Sequence, residues 1–292
     1  MKFHTIKNCD YSIIAPFLAS SKMIDMGFSS LFSLSNSFFP EYAFYDDMLI
    51  IRMKYGDDTV YSHPLSKRII TSDDIVHIVE NIIHTKKILF DYIPEEMIYL
   101  YENIYGFNSN ISMNEKYSDY FSKKTDFCDL SRKGHPRKYT DYVSFIKHYN
   151  FDFKKISNSN IGDCKILFDK WCLNRDCSLC AYGCEKKLQN IIFDNWDNLP
   201  CEGIIVYINN EPQGYLIGEQ NGDTCLILYG KPIGRQNGLN VFMHIKLVEL
   251  FFNDSIYVNF SPDSGMEGLA KFKNKFKPYT KINKYFCEIK KI

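Results

Sequence analysis

The alternation of apolar and polar positions is clearest in the C-terminal half of the chain. FDFKKI at Phe151 to Ile156 alternates as a half-buried strand does, and later apolar residues recur at helical spacing. Residues 209–212 and 221–223 are rich in Asn, Gly, Asp and Pro, which is typical of hairpin loops. The predicted order is strand Phe151 to Ile156, helices Gly162 to Leu173 and Cys184 to Trp196, strands Gly203 to Ile208, Gln213 to Glu219 and Thr224 to Tyr229, helix Asn237 to Phe252, strand Ser255 to Phe260, helix Met266 to Phe276 and an extended tail Tyr279 to Ile289.

The N-terminal half repeats this order more faintly. Ser72 followed by two Asp residues is a good helix N-cap. The predicted elements are strand Phe3 to Ile6, helices Asp10 to Ala19 and Phe28 to Leu34, strands Tyr42 to Tyr45, Met48 to Lys54 and Thr59 to Ser62, helix Ser72 to Thr85, strand Lys87 to Tyr92 and helix Glu95 to Tyr105. Two copies of one order indicate a tandem duplication.

The repeated order β, α, α, β, β, β, α, β, α, β is that of the acyl-CoA N-acyltransferase (GNAT) fold. We therefore expect an α/β protein with mixed sheets, built from two tandem GNAT-like domains. The expected division is residues 1–128, a basic segment with a bridging helix at 129–149 that is helical from Thr140, and residues 150–292. Helix Asn237 to Phe252 is then the counterpart of helix Ser72 to Thr85.

Charge is unevenly distributed although the formal net charge is zero. Ser131 to Lys155 contains seven Lys or Arg against two acids, and Lys271 to Lys291 contains eight Lys against one acid. An anionic partner such as tRNA is therefore plausible, and solvated Lys on exposed faces is the equally weighted alternative. No DNA partner is expected.

The chain lacks the features of a leader or a membrane span. Met1 to Asp10 has no apolar core region or small-residue cleavage site, and no stretch approaches the roughly 20 apolar residues of a membrane helix. We expect a soluble, cytoplasmic protein with no integral membrane segment, whose ten cysteines are mostly reduced core residues.

Three segments resemble the phosphatidylglycerol lysyltransferase C-terminal family. They are Leu130 to Tyr149 (LSRKGHPRKYTDYVSFIKHY), Asn259 to Pro278 (NFSPDSGMEGLAKFKNKFKP) and the Asp119-Tyr120 segment between Glu115 and Ser122. The second is similar to a family pattern of the form N-x-x-x-D-x-G-x-x-G-L-R-x-x-K-x-x-x-x-P. In the lysyltransferases this region is fused to a membrane-embedded half and transfers lysine from its tRNA to a lipid, so the resemblance implies acyl or aminoacyl transfer.

GRQNGLN at 234–240 lies between a predicted strand and a predicted helix. Acyl-CoA transferases have a Q/R-x-x-G-x-G/A loop here, whose backbone N–H groups at a helix start bind pyrophosphate. We expect Gly234, Arg235, Gln236, Asn237 and Gly238 to form a donor-binding loop; a glycine-rich turn without a ligand is the alternative. Replacing Arg235 by a neutral residue or Gly238 by a bulky one should then weaken donor binding without unfolding the protein.

Asn259 and Asp263 follow the next strand, where ligand-contacting loops of α/β sheets are common. Both are candidate catalytic residues, with Asp263 as general base; capping of the helix near Met266 is its alternative role. Four cations in the family-like segments could bind phosphates of CoA or tRNA. They are Arg137, Lys138, Lys273 and Lys277.

Four cysteines form a C-x4-C-x2-C-x3-C pattern between two predicted helices. They are Cys172, Cys177, Cys180 and Cys184, at spacings close to those of zinc or iron–sulfur ligands. Buried or idle thiols of a reduced protein are the alternative.

We expect an N-acyl or aminoacyl transferase that moves an acyl group from a CoA thioester or an aminoacyl-tRNA to a small amine or hydroxyl acceptor by direct attack. Two alternatives stay open. One is a non-catalytic binding protein on the same fold, which the departures from the family pattern at Tyr139, Asn240 and Ala270 allow. The other is a metal- or redox-responsive protein that uses the cysteine cluster. Fold alone does not decide among them.

Overall fold

The structure is a computed structural model that describes residues 1–82, 87–102, 104, 106–173, 184–234 and 236–292. These residues form two seven-stranded mixed sheets. The first sheet contains β1 (His4–Thr5), β2 (Glu41–Tyr45), β3 (Met48–Tyr55), β4 (Asp58–Ser62), β5 (Lys87–Pro94), β6 (Phe107–Met113) and β14 (Lys284–Lys291). The second contains β7 (Asp119–Lys123), β8 (Phe151–Lys155), β9 (Cys201–Ile208), β10 (Glu211–Asn221), β11 (Thr224–Pro232), β12 (Tyr257–Asn259) and β13 (Thr280–Ile282).

The helices lie in three layers around the two sheets. They are α1 (Tyr11–Leu18), α2 (Phe28–Ser33), α3 (Ser72–Ile82), α4 (Tyr99–Glu102), α5 (Lys124–Cys128), α6 (Pro136–His148), α7 (Ile161–Cys172), α8 (Glu185–Asp194), α9 (Leu239–Phe251) and α10 (Glu267–Lys273). Helices α3 and α4 cover the outer face of the first sheet. The outer face of the second sheet packs against α5, α6 and α9. Helices α1, α2, α7 and α8 fill the space between the sheets, which we call the central layer.

The two halves share the predicted order, and this confirms the tandem GNAT-like α/β fold. Strands β4 and β5 pair in parallel with α3 between them, and β11 and β12 pair in parallel with α9 between them. Helices α3 and α9 therefore hold the same topological position, as the sequence predicts. No helix among the described residues is long and apolar enough to cross a membrane.

Each sheet takes one strand from the other half of the chain. Strand β7 lies between β12 and β13 of the second sheet, and β14 lies between β5 and β6 of the first. The extended tail predicted as one strand is thus two strands, β13 and β14, in different sheets. The division at 128 and 150 remains a prediction for the domains, but the sheets exchange strands across it.

Local side-chain chemistry explains where two of the helices begin. The carboxylate of Asp74 accepts the backbone N–H of Thr71 at 2.8 Å, so Thr71 rather than Ser72 precedes the first turn of α3. Helix α6 begins at Pro136 instead of the predicted Thr140, because proline lacks the N–H that would be unpaired at a first helical position.

Candidate functional site

The parallel strand pair of each sheet separates at a polar residue. In the second sheet the last pair is Leu226 with Asn259, after which β12 ends while β11 continues to Pro232. In the first sheet the last pair is Ser62 with Asp91. Strand β12 lies along one edge of β11 only as far as Leu226. From Ile227 onward that edge of β11 has no strand partner among the described residues, and we call this opening the β11 gap.

Asn259 lies at the start of the β11 gap but is completely buried. Its Nδ2 donates to the carbonyl oxygen of Lys22 at 2.7 Å and to Oδ2 of Asp119 at 2.9 Å, and its Oδ1 accepts the N–H of Ser261 at 2.9 Å. Both polar ends of the amide are therefore engaged within the protein. This arrangement fits a positioning role better than direct contact with a substrate.

Asp263 organises the loop after β12. Its Oδ2 accepts the hydroxyl of Tyr120 at 2.6 Å, and its Oδ1 accepts the N–H of Gly265 at 2.8 Å. Because α10 begins only at Glu267, the carboxylate fixes the preceding turn and does not cap the helix itself. With both oxygens engaged and 7% of the residue exposed, Asp263 is poorly placed to receive a substrate proton.

The predicted donor loop lies at the N-terminus of α9. Its described members Gly234, Gln236, Asn237 and Gly238 line a cavity of about 270 Å³, and Arg235 falls outside the described residues. The sequence thus correctly places these residues together at a helix start. Whether these residues can bind a donor depends on which other groups of the protein enter the cavity.

Helix α6 packs over the start of α9 and occupies part of that space. Gly238 has φ +86°, and a Cβ there would lie 1.9 Å from the carbonyl oxygen of Asp141. The N–H of Asn237 donates to the hydroxyl of Tyr149 at 3.3 Å. Gly238 therefore allows α6 and α9 to pack closely, and the geometry indicates that a bulky residue there would destabilise the fold as well as alter the cavity.

The charged side chains that line the cavity among the described residues are paired with each other. Nζ of Lys275 lies 2.5 Å from Oδ2 of Asp141, and both residues line the cavity. A pyrophosphate at the first turn of α9 would meet the carboxylate of Asp141 and compete with it for Lys275. This electrostatic arrangement disfavours a doubly charged phosphate group at that point.

Two lysines of the family-like segments are buried and bind backbone carbonyls. Lys138 donates to the carbonyl oxygens of Asp126 and Phe127 at 2.9 and 2.8 Å, at the C-terminal end of α5. Lys273 donates to those of Phe260 and of the next residue, Ser261, the second at 3.1 Å. Burial lowers the pKa of Lys138 to about 8 and the pKa of Lys273 to about 7. Neither ammonium group is available to a phosphate in this arrangement.

The other two predicted cations are closer to solvent. Lys277 donates to the carbonyl oxygen of Gly134 at 2.6 Å, which ties the second family-like segment to the first. Arg137 is exposed on α6, four residues before Asp141 and therefore on the same face of that helix. Of the four predicted cations, Arg137 is the one best placed to contact an anionic partner.

The cysteine pattern falls largely outside the described residues. Cys172 is the last residue of α7 and Cys184 precedes α8, whereas Cys177 and Cys180 belong to 174–183, which the structure does not describe. Within the described ranges no group of three or more His, Cys, Asp or Glu could hold a metal ion. The zinc or iron–sulfur site therefore stays a prediction.

A cluster of ionisable groups in the central layer was not predicted from the sequence. Lys284 of β14 forms ion pairs with Asp25, which lies just before α2, and at 2.7 Å with Oδ1 of Asp119 in β7. Burial raises the pKa of Asp119, while the two carboxylates together outweigh burial and raise the pKa of Lys284. Asp91 lies nearby, and burial raises its pKa to about 6.

These residues come from four distant parts of the sequence and share no motif. Only Asp119 lies in a family-like segment, and Lys284 is one of the eight lysines of the basic segment Lys271 to Lys291. Their proximity depends on the strand exchange, because β7 and β14 bring Asp119 and Lys284 to the boundary between the sheets.

Comparison with known proteins gives one family and several similar folds. The family described as "Phosphatidylglycerol lysyltransferase, C-terminal" matches residues 20–288. A conserved protein of unknown function from Bacteroides thetaiotaomicron superposes with a TM-score of 0.91 at 22% identity, over 99% of this chain and 100% of that chain. No curated protein matches this chain.

Two further solved structures share the fold at low identity. The C-terminal domain of a putative lysylphosphatidylglycerol synthetase from Agrobacterium fabrum has a TM-score of 0.67 at 12% identity, over 97% of this chain and 92% of that chain. A tandem GNAT protein from the clavulanic acid biosynthesis pathway has a TM-score of 0.53 at 9% identity, over 98% of each chain. Since the family match spans residues 20–288, the chain belongs to the phosphatidylglycerol lysyltransferase C-terminal family.

Proposed function

We propose that this protein is an aminoacyl transferase that moves an aminoacyl group from a tRNA ester to an amine or hydroxyl acceptor by direct attack. Family membership supports acyl transfer, and the β11 gap offers an unpaired strand edge beside which an acyl group can lie. Such chemistry needs positioning, a base for the acceptor proton and donors for the developing oxyanion. Unpaired backbone N–H groups of β11 are candidates for the last role.

The packing of α6 on α9 favours an aminoacyl ester over a CoA thioester as the acyl donor. The N–H of Asn237 is already bonded to Tyr149, and the carboxylate of Asp141 lines the cavity where a CoA pyrophosphate would bind. An aminoacyl ester requires no pyrophosphate there. Exposed cations such as Arg137 remain available for the phosphates of a tRNA.

Calorimetry with acetyl-CoA, charged tRNA and uncharged tRNA tests the proposal. We expect charged tRNA to bind and to lose its aminoacyl group when an amine is added, with no heat from acetyl-CoA. Arg137→Ala should weaken tRNA binding by about tenfold, the loss of one charge-assisted contact, while Lys54→Ala on the distant strand β3 should not.

Other outcomes discriminate between the alternatives. Binding of acetyl-CoA that is weakened by Arg235→Ala would restore the CoA thioester as donor. Binding of neither donor would favour a non-catalytic binding protein, which the internal use of Asn259, Lys138 and Lys273 also allows.

A further inference from the structure

Asp91 points into the central layer at the place where β4 and β5 separate. Its neighbour Phe90 packs against α3 and α4 on the outer face of the first sheet. Because side chains alternate along a strand, the side chain of Asp91 lies on the opposite face, toward the central layer. Oδ1 accepts the N–H of Tyr92 at 2.7 Å, and the structure gives no protein hydrogen bond to Oδ2 among the described residues. The residue is partly exposed, and its Oδ2 is not one of the fully buried, unpaired side-chain atoms of the described residues.

The cluster around Asp91 has more carboxylates than cations. Asp25 influences both Asp91 and Asp119, whereas the one lysine among them, Lys284, forms ion pairs with Asp25 and Asp119 and lowers the pKa of Asp91 only from a distance. Asp91 has no ion-pair partner of its own in the described part of the chain. A carboxylate that is mostly buried beside another carboxylate and lacks an ion-pair partner is stabilised by a positively charged ligand.

Two tyrosines and the edge of β11 complete the surroundings. The hydroxyls of Tyr55 and Tyr92 lie 2.9 Å apart, and burial raises the pKa of Tyr55, to which Asp91 and Asp25 also contribute. Asp25 likewise influences Tyr229, which belongs to the unpaired part of β11. The cluster thus extends from the first sheet across the central layer to the β11 gap.

We propose that Asp91, Asp25, Tyr55 and Tyr92 form a site for the ammonium group of the acceptor, the Asp91 site, and that Asp91 removes its proton. This inference rests on the proposed function and names its acceptor as a primary amine. Oδ2 of Asp91 takes one proton from R–NH₃⁺, and the freed nitrogen attacks the acyl carbon. The C–N bond forms, the ester C–O bond breaks, and the leaving oxygen takes the second proton from nitrogen.

Amine binding can be measured without any donor, which separates this inference from the proposed function. Pentylammonium chloride and 1-pentanol differ in charge but little in shape, and calorimetry at pH 8 should detect the first and not the second. Asp91→Asn should weaken pentylammonium binding by about tenfold, as expected for loss of one charged contact. Asp73→Asn, an exposed carboxylate in the first turn of α3, is the matched control and should bind as the wild type does.

The pH dependence of pentylammonium binding tests whether Asp91 is the group that holds the ammonium. Affinity for pentylammonium should fall as pH decreases through about 6, because Asp91 then becomes protonated. The pKa values of Tyr55 and Lys284 are raised, so neither group changes charge near pH 6. Burial also raises the pKa of Asp119, so loss of the pH dependence in Asp91→Asn is the result that assigns it to Asp91. In Asp25→Asn the binding should weaken while this pH dependence persists.

Equal binding of pentylammonium by Asp91→Asn and wild type would overturn the inference, as would equal binding of amine and alcohol by the wild type. If Asp91→Asn does not fold, as shown by its circular dichroism, the Asp25→Asn variant and the amine–alcohol comparison still decide. In single-turnover transfer from charged tRNA, Asp91→Asn should lose transfer while donor binding persists. If the wild type binds no donor, that result would instead count against the proposed function.

Discussion

The hydroxyl of Tyr120 donates a 2.6 Å hydrogen bond to Oδ2 of Asp263, a residue 143 positions later in the chain. This contact joins the exchanged strand β7 to the loop that precedes α10. Tyr120→Phe would leave a buried carboxylate without one of its donors, so we expect a loss of about 1.5–3 kcal/mol in the free energy of unfolding, measured in urea. Tyr279→Phe, at an exposed position, is the control. An unchanged midpoint for Tyr120→Phe would show that the contact does not hold β7 in place.

Glu219 should make stability depend on pH. Its Oε2 accepts the N–H of Ser29 at 2.8 Å, and burial raises its pKa to about 7 from an ordinary value of 4.5. Between these values the folded protein holds the proton more tightly, so stability falls as pH rises from about 4.5 to 7 and is level above that range. Over this pH range the free energy of unfolding should fall by about 3 kcal/mol.

The variant Glu219→Gln cannot ionise and should lose this pH dependence. Urea unfolding at pH 5 and pH 8 measures it, and Glu211→Gln, at an exposed position, is the matched control. The same pH dependence in Glu219→Gln and the wild type would assign it to another group.

Gly238→Ala should destabilise the protein. The left-handed backbone at φ +86° and the contact of a Cβ with Asp141 both oppose a side chain, and we expect a cost of about 3 kcal/mol. Gly268→Ala in α10 is the control, because a Cβ there meets nothing within 4 Å and should change stability by less than about 1 kcal/mol. Thermal unfolding of the two variants makes the comparison, and similar melting temperatures would mean that α6 can move away from α9.

The cysteine pattern predicts stoichiometric metal if it is a zinc site. Purified protein should then contain about one zinc per chain, and replacing Cys172 together with Cys184 should remove it. Elemental analysis of the wild type and of the double variant decides the question. If the wild type is purified without chelator and contains no metal, the four cysteines are ordinary reduced thiols.

Periodicity predicts most of the elements because each buries one face. The strand at Phe151 and the helix at Ser72 have strong local patterns, and both occur close to where the sequence places them. Strand β7 (DYFSK) was missed because two of its four buried residues, Asp119 and Ser122, are polar, so the segment shows neither an apolar run nor apolar–polar alternation. The division of the tail into β13 and β14 depends on pairing with distant strands, which local sequence does not encode.

The candidate site was harder to predict than the fold. The family-like segments single out Asn259, Asp263, Lys138 and Lys273 as candidate site residues, but a motif does not reveal whether a polar side chain faces a ligand or a backbone carbonyl. In the structure these residues bind other parts of the protein. Asp91 carries no motif, and its environment arises only when two sheets and an exchanged strand meet.

The exchange of β14 also affects how the chain folds during synthesis. Strands β5 and β6 are made early, but β14, which lies between them, begins at Lys284 and is therefore made about 170 residues after β6 ends at Met113. At ordinary translation rates that delay is on the order of ten seconds. Throughout it, the facing edges of β5 and β6 are unpaired and open to intermolecular strand pairing. The nascent chain should therefore depend on holding chaperones more than a protein whose first domain closes on its own.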